Sequence, residues 1–306
     1  MLVTEIILLG FSHDFSICII LFVGFFVIYV ITIIGNSSLI LVVINTFRLH
    51  TPMYFFLCIL SFLDLCNSSS VVPRLLWDLF SIQRSISLGA CAIQLYMILL
   101  LGGYECLLLA IMAYDRYAAI CRPLHYPRLM RWSMCYRLIA ILWILSFFLF
   151  VFPSLALPVP LCYPNQIQHF MCEILAIRKM TCTHYYYSEI IVLCICFMSL
   201  LLPFILILIS YACIISSVLK IHSANRSKAF STCTSHVSVV ALFFGSGMVM
   251  YFGASANYST DQGKYIAVFY NIFCPMLNPL IYSLNNKDIK TQLRNGKSLS
   301  FQRICK

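Results

Sequence analysis

The sequence predicts an all-α membrane protein, a seven-transmembrane helix bundle forming one domain, with a short amphipathic C-terminal helix. Composition is the first reason: of 306 residues, 62% are hydrophobic and 10% charged, against about 25% charged in soluble domains. The second is that the apolar residues gather into seven stretches, each long enough for the roughly 20 helical residues that cross a bilayer. The third is the lack of the alternating segments of about ten residues that mark barrel strands. Separate apolar segments in lipid satisfy their backbones as helices.

The spans are expected at about 15–46, 52–80, 91–120, 134–157, 190–220, 229–257 and 264–284. Phe15 to Phe47 contains no Asp, Glu, Lys or Arg, whereas the second span holds Asp64, Arg74 and Asp78. Pro52 suits a helix start, where its missing N–H is harmless. The third span carries Glu105 as its one charge before Asp115-Arg116, which falls where the helix reaches water. Pro203, Pro275 and Pro279 interrupt the backbone bonding of spans five and seven, either as plain kinks or as hinges. Basic and apolar residues at about 285–295 are spaced for a helix lying on the membrane surface.

Basic residues orient the chain. Arg84, Arg178, Lys179 and Lys264 lie on one side and Arg74 inside span two; all other Lys and Arg fall after spans one, three and five or in the tail. The N-terminus is therefore expected outside and the C-terminus in the cytoplasm. The net charge of +10 then reflects topology and attraction to anionic lipid rather than nucleic-acid binding. No basic segment precedes the first apolar run, so span one is expected to act as its own targeting signal. Residues 1–14 are too few for a ligand-binding ectodomain. Cys91, Cys162, Cys172 and Cys182 lie on the outer side, where three pairings are open to them. Three of these sit in the long loop 158–187, which reads as a stapled lid.

Ionisable residues at membrane depth need a reason. Asp64 and Glu105 lie at similar depth in spans two and three, near Asn36 and Asn278. Two facing carboxylates cannot both ionise without a cation between them. The cluster is therefore a hydrogen-bonded plug, a proton-sharing pair or a sodium site. Catalysis finds no support: there is no Walker loop, Rossmann glycine pattern, His-Glu-x-x-His zinc site or Gly-x-Ser-x-Gly elbow, and no second deep aspartate for an intramembrane protease. No metal site is expected. A transporter would show repeats and a polar path, and neither is present.

Leu99, Gly102, Gly103 and Cys106 share one face of span three by helical spacing. Two glycines there make room either for a tightly packed helix or for a small ligand. The facing residues are Cys196 and Ser199 on span five, Phe244, Gly247, Met248 and Tyr251 on span six, and Val268 and Asn271 on span seven. Such a cavity suits a small hydrophobic molecule rather than a charged amine, because these faces carry no acid in their outer part.

Four motifs in order then resemble vertebrate olfactory receptors. They are Leu49-His50-Thr51-Pro52-Met53-Tyr54; Met112 to Cys121 with Arg122-Pro123-Leu124-His125-Tyr126; Lys228 to His236; and Pro275 to Leu284. The Met-Ala-Tyr-Asp-Arg-Tyr form is similar to the tetrapod-type subgroup. The resemblance implies a rhodopsin-like G-protein-coupled receptor in the plasma membrane. It would bind volatile odorants, activate a heterotrimeric stimulatory olfactory G protein and raise cyclic AMP. It implies that Arg116 is released from Asp115 on activation, with Tyr211 and Tyr282 as partners, beside Asn278 and Pro279. It also implies Cys91–Cys172 and Cys162–Cys182 disulfides and a sodium or proton site at Asp64 and Glu105. His169 to Glu173 resembles a metal motif proposed for these receptors, but an oxidised Cys172 would withhold its thiolate. The family's usual N-terminal glycosylation site is missing, leaving Asn257 as the outer-loop alternative and surface delivery as an open matter. Asn285 stands where the family has Arg, and Leu280 where it has Phe; both would weaken coupling.

Overall fold

The computed structural model describes residues 4–12, 14–155, 164–180, 186–220, 223–253, 260–285 and 289. Seven membrane-length helices are found among them: Phe15–Asn45, Pro52–Phe80, Leu88–Cys121, Trp132–Leu155, Ile190–Val218, Cys233–Phe252 and Gln262–Ser283. The fold class is the expected one. The expected second disulfide (Cys162, Cys182), the glycosylation candidate Asn257 and nearly all of the expected surface helix lie outside the described residues. Ile289 is described and is fully buried in the same core cluster as Leu49 and Tyr282.

Local chemistry starts several helices. The Asp14 carboxylate accepts from the Ser16 and Ile17 backbone N–H groups at 2.9 and 3.2 Å, and the Ser87 hydroxyl accepts from Ala90. Both serve the N–H groups that a first turn leaves without partners. Burial separates the spans: 17% of span one's most apolar window is buried against 61% for span three. Span one therefore offers its apolar surface to lipid, and span three is the central post.

Three spans contain a π-helical turn, at Phe147–Val151, Phe197–Leu201 and Phe269–Phe273. Each lies just ahead of a proline, at Pro153, Pro203 and Pro275. Proline has no N–H for the carbonyl four residues back, and its ring crowds that carbonyl. Leu149, Ser199 and Asn271 hold those positions, and each is the middle residue of its π turn. The prolines thus act as register changers, and Pro153 joins those singled out from the sequence. Pro279 is handled differently. The carbonyl it cannot serve is that of Pro275, and the Asn36 amide of span one donates to that oxygen at 3.0 Å.

One end of the bundle carries a three-stranded sheet in the order β2-β1-β3. β1, Glu5–Leu8, runs antiparallel to β2, Ser85–Ser87, and parallel to β3, Gln166–Ile167. Alternation explains the docking, since Ile6 and Leu8 turn inward and are buried. The described part of the lid is therefore built on the N-terminal segment as well as on residues 164–180 of the loop that was expected to form it alone. A Cys91–Cys172 disulfide ties that loop to the head of span three. We call this the lid end; the opposite, basic end carries Arg48, Arg122, Arg128 and Arg131.

Arg84 fastens the strand as it leaves the sheet. Its guanidinium donates to the carbonyls of Leu9 at 2.8 Å and Ser12 at 2.5 Å, around Gly10, whose φ of +64° favours glycine. Lys264 of span seven donates to the Gly10 carbonyl at 3.1 Å. Arg84→Ala is expected to speed amide exchange at Ile7, Leu8 and Leu9 by about tenfold or more, since hydrogen bonds from a charged donor are worth about 1.5–3 kcal/mol each. Exchange as slow as in the parent chain would show that the sheet holds the strand without Arg84.

Candidate functional site

Beneath the lid, spans three to seven line a cavity of about 40 Å³, room for a water or two, so a larger guest must displace its walls. Span three lines it with Leu99, Gly102, Gly103 and Cys106, span five with Cys196 and Ser199, and span six with Gly247 and Tyr251. Four of the expected residues do not line it. Phe244 is fully buried against Phe204, ring centroids 5.6 Å apart, and Met248 packs against the core. Val268 joins a cluster with Ile98 and Met250, and Asn271 donates to its own helix at Ala267. On span seven the cause is the π turn, which takes an extra residue per ring and so rotates the face; Tyr270 lines the cavity there instead.

The two glycines of span three have a concrete use. A Cβ on Gly102 would lie 2.8 Å from the Tyr270 hydroxyl, and one on Gly103 would overlap the Phe150 ring. Both aromatic side chains line the cavity. Sequence reasoning missed Phe150 and Tyr270, together with Ile98, Ile174, Val192, Ile195 and Leu200. The available signal was Leu149-Phe150 and Tyr270-Asn271 standing close to the position four before a proline, where the helix widens.

An acid also stands near the cavity. Glu173, in the lid after Cys172, is 4% exposed. Its Oε2 accepts from the backbone N–H groups of Leu175 and Ala176 at 3.0 and 3.2 Å. Burial pushes the carboxyl up to about 7, against the pull of those N–H groups and of Lys179. The Tyr251 hydroxyl donates a hydrogen bond to the same carboxyl. The helix faces themselves carry no acid in their outer part; this one comes from a loop that the disulfide ties to span three. His169 is also buried, which drives it down to about 4, and its Nδ1 accepts from the Met171 N–H at 3.3 Å. With Cys172 in the disulfide, its thiolate is committed. No group of three or more His, Cys, Asp or Glu that could hold a metal occurs among the described residues.

Midway down the bundle, the Asn278 amide donates to both oxygens of Asp64, at 3.1 and 3.0 Å. Asp64 and Glu105 are both buried. At the basic end, Arg116 faces Asp115 at 3.8 Å, and Asp115 accepts from the Tyr126 hydroxyl at 2.9 Å. His236 bridges three spans: its Nε2 lies 3.2 Å from the Leu109 carbonyl and its Nδ1 2.8 Å from the Tyr211 hydroxyl. A carbonyl only accepts, so Nε2 carries the proton and Nδ1 accepts from Tyr211. His236 closes the Lys228 to His236 motif, and nothing in that motif's spacing signals its bridging role. Arg116 Nη2 and the Tyr282 hydroxyl are buried without a hydrogen-bond partner among the described residues.

The family model described as olfactory receptor matches residues 25–297. The chain belongs to the olfactory receptor family. Relatives include the human olfactory receptor 2B2, 46% identical over 98% of this chain and 85% of its own length, and the human olfactory receptor 2K2, 44% identical over 93% and 90%. The mouse olfactory receptor 5AR1 is 44% identical over 95% of both chains. The fold is similar to squid rhodopsin, with a TM-score of 0.74 over 95% of this chain and 88% of that one at 16% identity. The receptor is thus a multi-pass membrane protein of a signalling family rather than an enzyme. Its cavity occupies the half of the bundle under the lid, and its Asp-Arg motif lies at the far end of the same span three.

Proposed function

We propose that the receptor binds a small volatile hydrophobic molecule in the cavity and activates a stimulatory olfactory G protein at the basic end, raising cyclic AMP. One observation carries this reading: spans three, five, six and seven supply both the cavity walls and the polar groups at the basic end. A guest that repacks Tyr251, Tyr270 or Phe150 therefore acts on the rods that hold His236, Tyr282 and Arg116. The lid end would face outward and the basic end the cytoplasm of the plasma membrane, following the basic residues.

Asp64 and Glu105 would share a proton or a sodium ion. Their oxygens suit a hard cation, and two bare like charges would oppose each other there. Asn278 on span seven would let occupancy be felt by that helix. The test is to express the chain with a cyclic AMP reporter and screen volatile apolar compounds. A dose-dependent rise that needs the G protein is expected. Ion flux on ligand addition without G protein would replace this reading with a channel.

A further inference from the structure

We propose that Arg137 of span four holds the headgroup of an anionic phospholipid against the outer face of the bundle at its basic end. Span four turns Met134, Ile141, Ile144, Leu145 and Phe148 outward, all of them exposed. Their spacing puts them on one stripe of the helix, the side that meets lipid. Arg137 stands three residues after Met134 and four before Ile141, so it falls on that stripe, and it too is exposed. It is the one charged residue of Trp132–Leu155. An ionised side chain on a lipid-facing surface needs a counterion or a route to water. Arg137 makes no ion pair or hydrogen bond with the described residues. Nor does the chain nearby have an acid to spare. Asp115 already accepts from Tyr126 and faces Arg116, and from Arg116 to Arg137 there is no Asp or Glu.

Helix direction supplies the depth. Span four starts at the basic end with Trp132, five residues or about 7–8 Å before Arg137. Side chains lean towards the N-terminus of their helix, so the guanidinium is carried back towards the bilayer surface, to the level of lipid phosphates rather than acyl chains. Ser133 lies one turn nearer that surface on the same side, and Arg131 and Arg128 follow at the surface itself, all exposed. The corner thus offers a hydroxyl and three positive charges. A guanidinium grips phosphate through two parallel hydrogen bonds. A zwitterionic lipid brings no net charge to such a corner, whereas phosphatidylserine brings a negative one. The site lies outside the bundle and shares no residue with the cavity.

The test uses the whole chain in phosphatidylcholine nanodiscs with a minor share of phosphatidylserine. One lipid or the other carries the same photo-reactive diazirine acyl chain, so that only the headgroup differs. Irradiation, digestion and mass spectrometry then read where each lipid lies. Corrected for its share, the phosphatidylserine label on peptides covering 133–141 is expected to exceed the phosphatidylcholine label about fivefold, the factor equivalent to about 1 kcal/mol for one basic residue at a membrane surface. Arg137→Gln is expected to bring that ratio close to one while leaving the labelling of the other helices unchanged. Arg137→Lys keeps the charge and should keep most of the excess. Equal labelling by the two lipids in the parent chain overturns the inference, because any lipid phosphate then serves the guanidinium. An excess that survives in the Gln variant also overturns it, since the basic end as a whole would then be the cause. Should the Gln variant fail to fold, the parent's own map decides: a phosphatidylserine excess on other spans and none at 133–141 refutes the site.

Discussion

Gly103→Leu is expected to empty the cell surface of folded receptor, and Phe150→Ala in the same chain to bring much of it back. A Cβ at position 103 overlaps the Phe150 ring, with contact to Cδ2, Cε2 and Cγ. That ring is fully buried, held by span four's π turn and packed with Leu99, Val151 and Ile195. It has no solvent to swing into, so the added carbons must push span four off span three. Overpacking of this kind costs about 1–3 kcal/mol, occasionally more, a large part of a membrane domain's margin. Alanine at 150 removes about as much volume as leucine adds at 103, so the double variant is close to volume-conserving. Surface staining and thermal unfolding in detergent check this: each single change lowers stability, and the pair restores part of the loss. Equal loss in Gly103→Leu and in the double variant would mean that the ring is not what the glycine accommodates. The double variant should also answer a changed set of ligand sizes, since the leucine refills the cavity from a different wall.

Much of the architecture was legible because lipid leaves a chain few choices. A segment such as Phe15–Asn45, apolar all round, has no soluble use of that length and must span. The depth match of Asp64 and Asn278 was legible for the same reason, because polar groups in hydrocarbon seek one another across 214 positions of sequence. The lid strand was not. Glu5–Leu8 is four residues long, and its partners lie about 80 and 160 positions away; short-range patterning says nothing about such pairing. Nor were Tyr270 and Phe150 assigned to the cavity, because a uniform 3.6-residue period puts Val268 and Asn271 on the facing side. The prolines did hold the correction. A helix that contains one must do something about the carbonyl four residues earlier, and here it widens at Leu149, Ser199 and Asn271, or borrows Asn36.

At the basic end the structure leads to two changes with opposite outcomes. Arg116→Ala is expected to drop ligand-driven cyclic AMP to the ligand-free level with receptor still at the surface, whereas His236→Ala is expected to raise the ligand-free signal. Among the described residues, Arg116 Nη2 and the Tyr282 hydroxyl are buried without a hydrogen-bond partner, and Nη2 faces Asp115 only at 3.8 Å, beyond hydrogen-bond distance. Polar atoms left waiting in one packing are the ones that gain partners in another, so Arg116 weighs towards the second arrangement. His236 does the reverse. It clamps span six to Leu109 and Tyr211, and both bonds must break if span six is to move away. Each is worth about 0.5–1.5 kcal/mol net, so losing both shifts a two-state ratio by about tenfold. Releasing the clamp also frees the Tyr211 hydroxyl, one of the groups that Arg116 needs. The Arg116→Ala, His236→Ala double variant should therefore be silent, because an unclamped span six without the guanidinium has nothing to hold it open. A double variant as active as His236→Ala alone would remove Arg116 from the switch, and surface staining of all three chains separates that outcome from loss of fold.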